Sequence, residues 1–349
     1  MRSLVIGLGR SGAGLHLPVL RRLRATAGPG LFADAPIVGC DPAGQRRTED
    51  VTWVTSVAEA AALLDPTVTV THVCTPPTAR VAVLTDLARY GFRNVIVEKP
   101  LAADEYDLDE ILRLRERHGL RLAVVAPWLA SELTRRLATL VHDARLGRLR
   151  TVSVVQSKPR FRRSLSTTGH PTAFDVELPH SLGVVLRLAG PAQVFAASCA
   201  DLVLPDRRVP RLGGAGVRLR HASGVRTHLM SDLAAPVRER RITLRFEHGT
   251  ATGNYAVAAD DDHAQLMVAA DGHHEHTVFP DDSLGGYLLD AYRAFATPGD
   301  VRPADLGLAV DVVRLLAAAK SRPEITGDRG LVATAGRMVW HGRDAIRHA

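Results

Sequence analysis

The segment Gly7-Leu8-Gly9-Arg10-Ser11-Gly12 has the spacing G-x-G-x-x-G. It follows an apolar run that starts almost at residue 1 and precedes a helical pattern. In that context the spacing carries meaning. The first glycine permits a tight turn, the second lets the backbone approach a pyrophosphate, and the third lets a helix pack closely on the strand. A helix that starts there faces phosphates with free N–H groups and a partial positive charge. Gly7, Leu8, Gly9, Arg10, Ser11 and Gly12 are therefore candidate dinucleotide-binding residues. Asp41 ends the next apolar run, Val38-Gly39-Cys40-Asp41-Pro42. An acid at that point bonds the ribose hydroxyls and favours NAD over NADP. Asp41 lies further past Gly12 than the usual ~20 residues, and the Gly- and Pro-bearing stretch 25–36 reads as an insertion that explains the excess. Arg46 and Arg47 follow and could instead hold a 2′-phosphate, so NADP stays open beside NAD.

Elements must bring these residues together. In the first 127 residues, short apolar runs at 4–7, 37–40, 68–74, 95–97 and 122–126 alternate with helical patterns such as 78–90 and 105–118. That alternation predicts an α/β fold with a doubly wound parallel sheet, a Rossmann arrangement. Ligands of such sheets bind beyond the carboxyl ends of the strands. Thr75-Pro76-Pro77 and Glu98-Lys99-Pro100 close two of the runs and should converge there with the glycine loop. After Trp128 the pattern changes. A helix is expected over 131–145. Strands are then expected at 151–157, 193–204, 217–221, 226–232, 241–247 and 264–269, with a helical insert at 176–188. Two helices follow, at 284–295 and 303–321. Successive strands without helices between them predict a second, mostly antiparallel open sheet. The division is expected between residues 1–127, which bind the dinucleotide, and 128–349, which bind substrate and oligomerise.

Composition narrows the function classes. The chain has 349 residues, 46% hydrophobic and 23% charged, ordinary for a globular protein. The formal charge of +7 is nearly all arginine, since only Lys99, Lys158 and Lys320 are lysines. A basic stripe with interleaved aromatics is missing and aromatics make up 5%, so no nucleic-acid partner is expected. Cys40, Cys74 and Cys199 are odd in number and far apart, which reads as free thiols. No apolar run approaches the ~20 residues of a membrane span, and the first apolar run is cut by Gly7, unlike a signal peptide. A cytoplasmic protein without membrane partner is expected. His263, His273, His274 and His276 flank a Gly-turned hairpin. Metal ligation has no supporting spacing there, and an exposed hairpin is expected.

With the glycine loop, Thr75-Pro76-Pro77, Glu98-Lys99-Pro100 and the segment 309–321 in view, the chain resembles the Gfo/Idh/MocA oxidoreductases. The family implies a nicotinamide cofactor held by residues including Thr75, Pro76, Glu98 and Lys99. It also implies a hydride transfer at a carbinol or keto carbon of a sugar, cyclitol or related small molecule. Self-association as a dimer or tetramer through the second sheet is implied too. By the resemblance Lys99 sits between nicotinamide and substrate. A lysine whose pKa is lowered by desolvation or a nearby cation can accept the hydroxyl proton that hydride transfer leaves behind.

Members usually carry an Asp four residues before a pocket His. Here the matching region is Phe174-Asp175-Val176-Glu177-Leu178-Pro179-His180, so the acid is displaced. His180 is the expected acid/base or partner of Lys99, and Glu177, three residues before it, the expected orienting or substrate-binding acid. Pro179 suits a helix that starts near Leu178, which would leave both acids on the approach. Two departures remain. Arg80 stands where the family often has His, and His16 follows Gly12 by one residue more than in many members. Trp128 either stacks on a sugar or plugs the domain junction. Arg160 and Arg162, in the basic stretch Lys158-Pro159-Arg160-Phe161-Arg162-Arg163, either receive an anionic or hydroxyl-rich substrate or form a solvated loop. An NAD-dependent glycosidase of the same fold and a non-catalytic dinucleotide sensor or scaffold are the competing readings.

Overall fold

Strands β1 (Arg2–Ile6), β2 (Ile37–Cys40), β3 (Val51–Val54), β4 (Thr69–Val73), β5 (Asn94–Val97) and β6 (Arg121–Val124) form a parallel sheet in the order β3-β2-β1-β4-β5-β6 in a computed structural model of the chain. The structure describes every residue except 28–29, 45–49, 167–169, 259–260, 298–305, 322–323, 327–332, 335–336 and 339–349. The reversal of strand order between β1 and β4 places a crevice at their carboxyl ends.

Among the described residues the helices are α1 (Leu17–Thr26), α2 (Val57–Leu63), α3 (Arg80–Arg89), α4 (Glu105–His118), α5 (Pro127–Ala130), α6 (Glu132–Asp143), α7 (Phe161–Ser166), α8 (Leu178–Ala189), α9 (Ser283–Ala296) and α10 (Leu306–Ser321). Local chemistry sets their ends. In α4 the Asp104 carboxylate accepts the Asp107 N–H at 2.9 Å. Glu105 and Asp107 sit in the first turn, three basic groups sit in the last, and Gly119 stops the helix with φ +62°.

Both faces of the parallel sheet are buried, as the Val- and Ile-rich strands require. On one face Val5, Val70, Ile96 and Ala123 pack with Leu17 and Leu20 of α1 and with Leu288, Tyr292 and Phe295 of α9. On the other, Leu4, Ile6, Val73 and Val95 pack with Ala60, Leu84, Leu87, Leu108 and Ile111, and Val313 of α10 joins them. The late helices therefore belong to the N-terminal core. The expected single division after residue 127 is replaced by two discontinuous units. One comprises Met1–Asp143, Leu182–Leu188 and Phe279–Ala317. The other comprises Ala144–Ser181, Ala189–Val278 and Ala318–Ala349. Burial of both sheet faces is the physical reason, since residues 1–127 alone lack α9.

The second unit is built on a nine-stranded sheet among the described residues. Its strands are β7 (Leu149–Ser157), β8 (Ala192–Val203), β9 (Arg208–His221), β10 (Arg226–Asp232), β11 (Glu239–Phe246), β12 (Gly249–Asn254), β13 (His263–Ala270), β14 (His273–Pro280) and β15 (Glu324–Thr326). They run in the order β14-β13-β12-β11-β7-β10-β9-β8-β15. The sheet is mostly antiparallel, with parallel pairs at β7/β10 and β8/β15. The four histidines singled out in the sequence lie on the β13–β14 hairpin, whose Asp271-Gly272 turn has positive φ at both residues. No helix among the described residues is long and apolar enough to cross a membrane.

Candidate functional site

The glycine loop follows β1 directly. Gly7 adopts φ +84°, and a Cβ there would lie 3.0 Å from backbone atoms of Cys74 and Thr75. Its N–H donates to the Cys40 carbonyl at 2.9 Å. A Cβ on Gly12 would lie 2.1 Å from the Gly7 carbonyl oxygen, so the helix can pack on the strand end only with glycine there. Gly9 differs. It is exposed, and a Cβ would meet nothing within 4 Å. The first helical bond is from Ala13 N–H to the Gly9 carbonyl, which leaves the N–H groups of Arg10, Ser11 and Gly12 outside the ladder. Open space over Gly9 and a row of helix-start donors fit a pyrophosphate. Chemically, these residues could hold a dinucleotide.

The extra residue before His16 also has a structural outcome. Gly12–His16 forms a π turn in which His16 N–H donates to the Ser11 carbonyl at 2.9 Å. Such a turn absorbs one inserted residue within a helix. Asp41 sits at the carboxyl end of β2. Its carboxylate accepts the Leu8 N–H at 2.7 Å and the Ala43 N–H at 3.0 Å. It thus ties the second strand to the glycine loop and keeps further lone pairs for a ribose hydroxyl. Arg46 and Arg47 lie outside the described residues.

Beside this loop stand the ends of β4 and β5. Thr75 and Pro76 lead into a 3-10 turn before α3. Arg80, the first residue of α3, is 1% exposed and donates from Nη2 to the Thr75 carbonyl at 3.3 Å. Burial pulls the guanidinium down to about 10, against the opposing pull of Glu98 and Cys74. The Nε and Nη1 of Arg80 and the Thr75 hydroxyl are buried without a hydrogen-bond partner. Orphaned buried donors at a strand end suit a polar ligand group there.

Glu98 follows β5. One oxygen meets His16 Nε2 at 3.1 Å, and the other accepts the Lys99 N–H at 3.1 Å. Burial pushes the Glu98 carboxyl up, but the His16 bond and the charges of His16, Lys99 and Arg80 outweigh it and hold it below the usual carboxylate range. Lys99 itself is half-buried, and its bond to Pro100 is cis. Burial, with Glu98 adding to it, pushes the Cys74 thiol well up, so it is no nucleophile at neutral pH.

Residue His16, wholly buried, also bonds His72. Sequence reasoning missed His72 and Tyr292. A histidine within the otherwise apolar run that forms β4 was the available signal, since an unbonded imidazole there would be costly.

Of the remaining candidates, Trp128 lies in the first unit and the others lie in the second. Asp175 ends a 3-10 turn, where it accepts the Thr172 hydroxyl at 2.7 Å and Lys320 Nζ at 3.0 Å. Helix α8 begins at Leu178, so Pro179 falls in its tolerant first turn and both acids precede the helix. The Glu177 carboxylate is engaged by Lys158 and by Gln156 Nε2, the latter at 3.2 Å. Its link to His180 is through the backbone, from the His180 N–H to the Glu177 carbonyl at 3.1 Å. The acid is thus held by Lys158 rather than free to face substrate.

The expected basic loop is not a solvated one. Arg160 is 2% exposed and bonds Ser164 at 3.1 Å from Nη1, because the chain turns there into α7. Arg162, on α7, is exposed. Trp128, on α5, is 6% exposed. Of the readings given for them, burial excludes the solvated loop for Arg160 and shows Trp128 packed within the protein.

Residues 1–126 match the model of an oxidoreductase family, GFO_IDH_MocA, with an NAD-binding Rossmann fold. The N-terminal domain belongs to the Gfo/Idh/MocA oxidoreductases. No curated protein matches the chain. Beyond residue 126 the likeness is to solved structures and concerns the fold alone. KijD10, a 3-ketoreductase from Actinomadura kijaniata in complex with TDP-benzene and NADP, is similar with a TM-score of 0.73. The identity is 17%, over 94% of this chain and 99% of that one. UDP-N-acetylglucosamine 3-dehydrogenase GnnA from Acidithiobacillus ferrooxidans has a TM-score of 0.71 at 17% identity, over 93% of this chain and 98% of that one. At such identity the likeness is one of fold.

Proposed function

We propose that this chain is an NAD(P)-dependent oxidoreductase acting on a carbinol or keto carbon of a sugar, cyclitol or sugar-derived metabolite, with a nucleotide-linked sugar as first choice. The observation that carries the reading is Lys99, held by its backbone to an ionised Glu98 at the strand ends where the glycine loop opens. The bound dinucleotide would supply the hydride donor or acceptor. Gly7 to Gly12, Thr75, Pro76 and Asp41 bind and orient it. Lys99 takes the hydroxyl proton in oxidation or returns it in reduction. Within the second unit, His180 is the candidate acid/base group and Arg162 an exposed cation suited to an anionic substrate. The 3-ketoreductase and 3-dehydrogenase among the similar structures support a sugar nucleotide as substrate.

Fluorescence titration with NADH and NADPH, then UDP- and TDP-hexoses, free sugars and polyols followed at the nicotinamide absorbance, tests the reading. Binding of neither dinucleotide would overturn it. Net cofactor turnover excludes the glycosidase chemistry weighed above.

Two variants refine it. Replacing His180 by alanine should lower kcat by about 10²-fold, the smaller end of what a positioned acid/base group contributes. Wild-type turnover would remove His180 from the chemistry. Replacing Asp41 by asparagine should weaken NADH by roughly 10-fold, as expected for one charge-assisted hydrogen bond, and shift preference toward NADPH. An unchanged ratio of the two dissociation constants would deny Asp41 its ribose contact.

A further inference from the structure

Five buried groups in the first unit form one hydrogen-bonded run. Ser3 Oγ lies 2.6 Å from the Tyr292 hydroxyl, and that hydroxyl lies 2.9 Å from His72 Nε2. His72 Nδ1 lies 2.8 Å from His16 Nδ1, and His16 Nε2 lies 3.1 Å from Glu98. The run crosses β1, α9, β4, the π turn and the end of β5. His16, His72 and Tyr292 have no exposed surface.

Protons in such a run must share one direction. An ionised Glu98 only accepts, so His16 carries its proton on Nε2. The run keeps one direction when the Nδ1 of His16 is bare and His72 donates to it. Burial, with His16 beside it, holds the His72 imidazole well below its ordinary value, so it has one ring proton to give. With that proton on Nδ1, Nε2 accepts from Tyr292. Burial pushes the Tyr292 phenol up, so it keeps its proton. Ser3 then donates to the phenol oxygen. Bonds that all point one way polarise one another.

We propose that Tyr292, His72 and His16 are positioning residues that donate in sequence toward Glu98, keep it anionic and so set the protonation of Lys99. The proposal deepens the functional reading, because Lys99 is its acid/base group. Glu98 is faced by His16 from the π turn, by the adjacent Lys99, by Arg80 from α3 and by Cys74 just after β4. An anionic Glu98 favours the ammonium form of Lys99. Weakening the chain raises the Glu98 pKa, neutralises the carboxylate and therefore lowers the Lys99 pKa.

The chain has three lysines, so reductive ¹³C-methylation yields few lysine signals. The one missing from Lys99→Arg is Lys99. In Glu98→Gln its titration midpoint should fall by about one unit, the smaller end of an opposite-charge effect. In Tyr292→Phe it should fall in the same direction, and the double variant should fall no further than Glu98→Gln alone. ¹⁵N spectra of histidine-labelled protein should show His16 protonated at Nε2 and His72 at Nδ1. An unmoved Lys99 midpoint in folded Tyr292→Phe, or His72 protonated at Nε2, overturns the proposal. If Tyr292→Phe fails to fold, the tautomers of the unaltered protein decide. Wild-type turnover in Lys99→Ala would defeat the functional reading while leaving the titration and tautomer results standing.

Discussion

Replacement of Lys99 by alanine is expected to lower kcat by about 10²- to 10⁴-fold, the range associated with loss of a positioned acid/base group. The dissociation constant for the dinucleotide should stay nearly unchanged. The glycine loop, to which the proposal assigns the pyrophosphate, is built without the Lys99 side chain. Glu98 also keeps its bond to His16 in the variant, so the strand end retains its anchor. Stopped-flow or steady-state rates with the substrate found in the panel, beside NADH and NADPH titrations, separate the two quantities. A loss confined to KM would make Lys99 a binding group. A loss of dinucleotide affinity equal to the loss of kcat would mean that the variant disturbs the loop rather than the chemistry.

A contrast between two glycines should be nearly as large, and it divides stability from binding. Gly12→Ala places a carbon 2.1 Å from the Gly7 carbonyl oxygen. Backbone on both sides must move, so a destabilisation of about 2–4 kcal/mol is expected, the range in which overpacking and strain fall. Gly9→Ala places its carbon in open space. Its melting temperature should match the unaltered protein. Its dinucleotide affinity should fall at least 10-fold, because the added methyl occupies the approach to the pyrophosphate. Thermal melts and fluorescence titrations of both variants check the pair. A Gly9→Ala protein that binds NADH and NADPH normally would show that the phosphates do not pass over this loop.

Five of the six strands of the parallel sheet were legible because they are short, mostly apolar, buried runs, and periodicity reports burial well; the edge strand β3, Val-Thr-Trp-Val with an exposed Thr52, was not among them. Two elements show the limit. β12 has the sequence Gly-Thr-Ala-Thr-Gly-Asn, and β14 opens with His-His-Glu-His. Neither carries the apolar alternation of a strand, and each exists because a neighbour supplies its hydrogen bonds. Within the site, Gly7 and Gly12 could be read from spacing, since each answers a local steric demand. Lys99 was readable from the company it keeps in Glu98-Lys99-Pro100. Glu177 fell inside the expected helical insert 176–188, and only Pro179 pointed to the start at Leu178 that leaves it before α8; its partner Lys158 comes from the end of β7. Arg160 looked like part of a charged loop, and only the packed start of α7 explains its burial. Tyr292 was out of reach for the same reason. It meets His72 across most of the chain, and pairings of that separation leave no mark on local pattern.

The late arrival of α9 has a consequence for how the protein is made. Every strand of the parallel sheet has been synthesised by Val124, yet the helix that joins α1 in covering one face is not synthesised until residues 283–296. During translation the nascent sheet must carry Val5, Val70 and Ile96 incompletely covered while strands β7 to β14 of the second sheet are being added. Closing contacts of that sequence separation is slow and leaves apolar surface open to other chains. The dinucleotide domain, begun first, is therefore closed only after nearly all of the second sheet has been made.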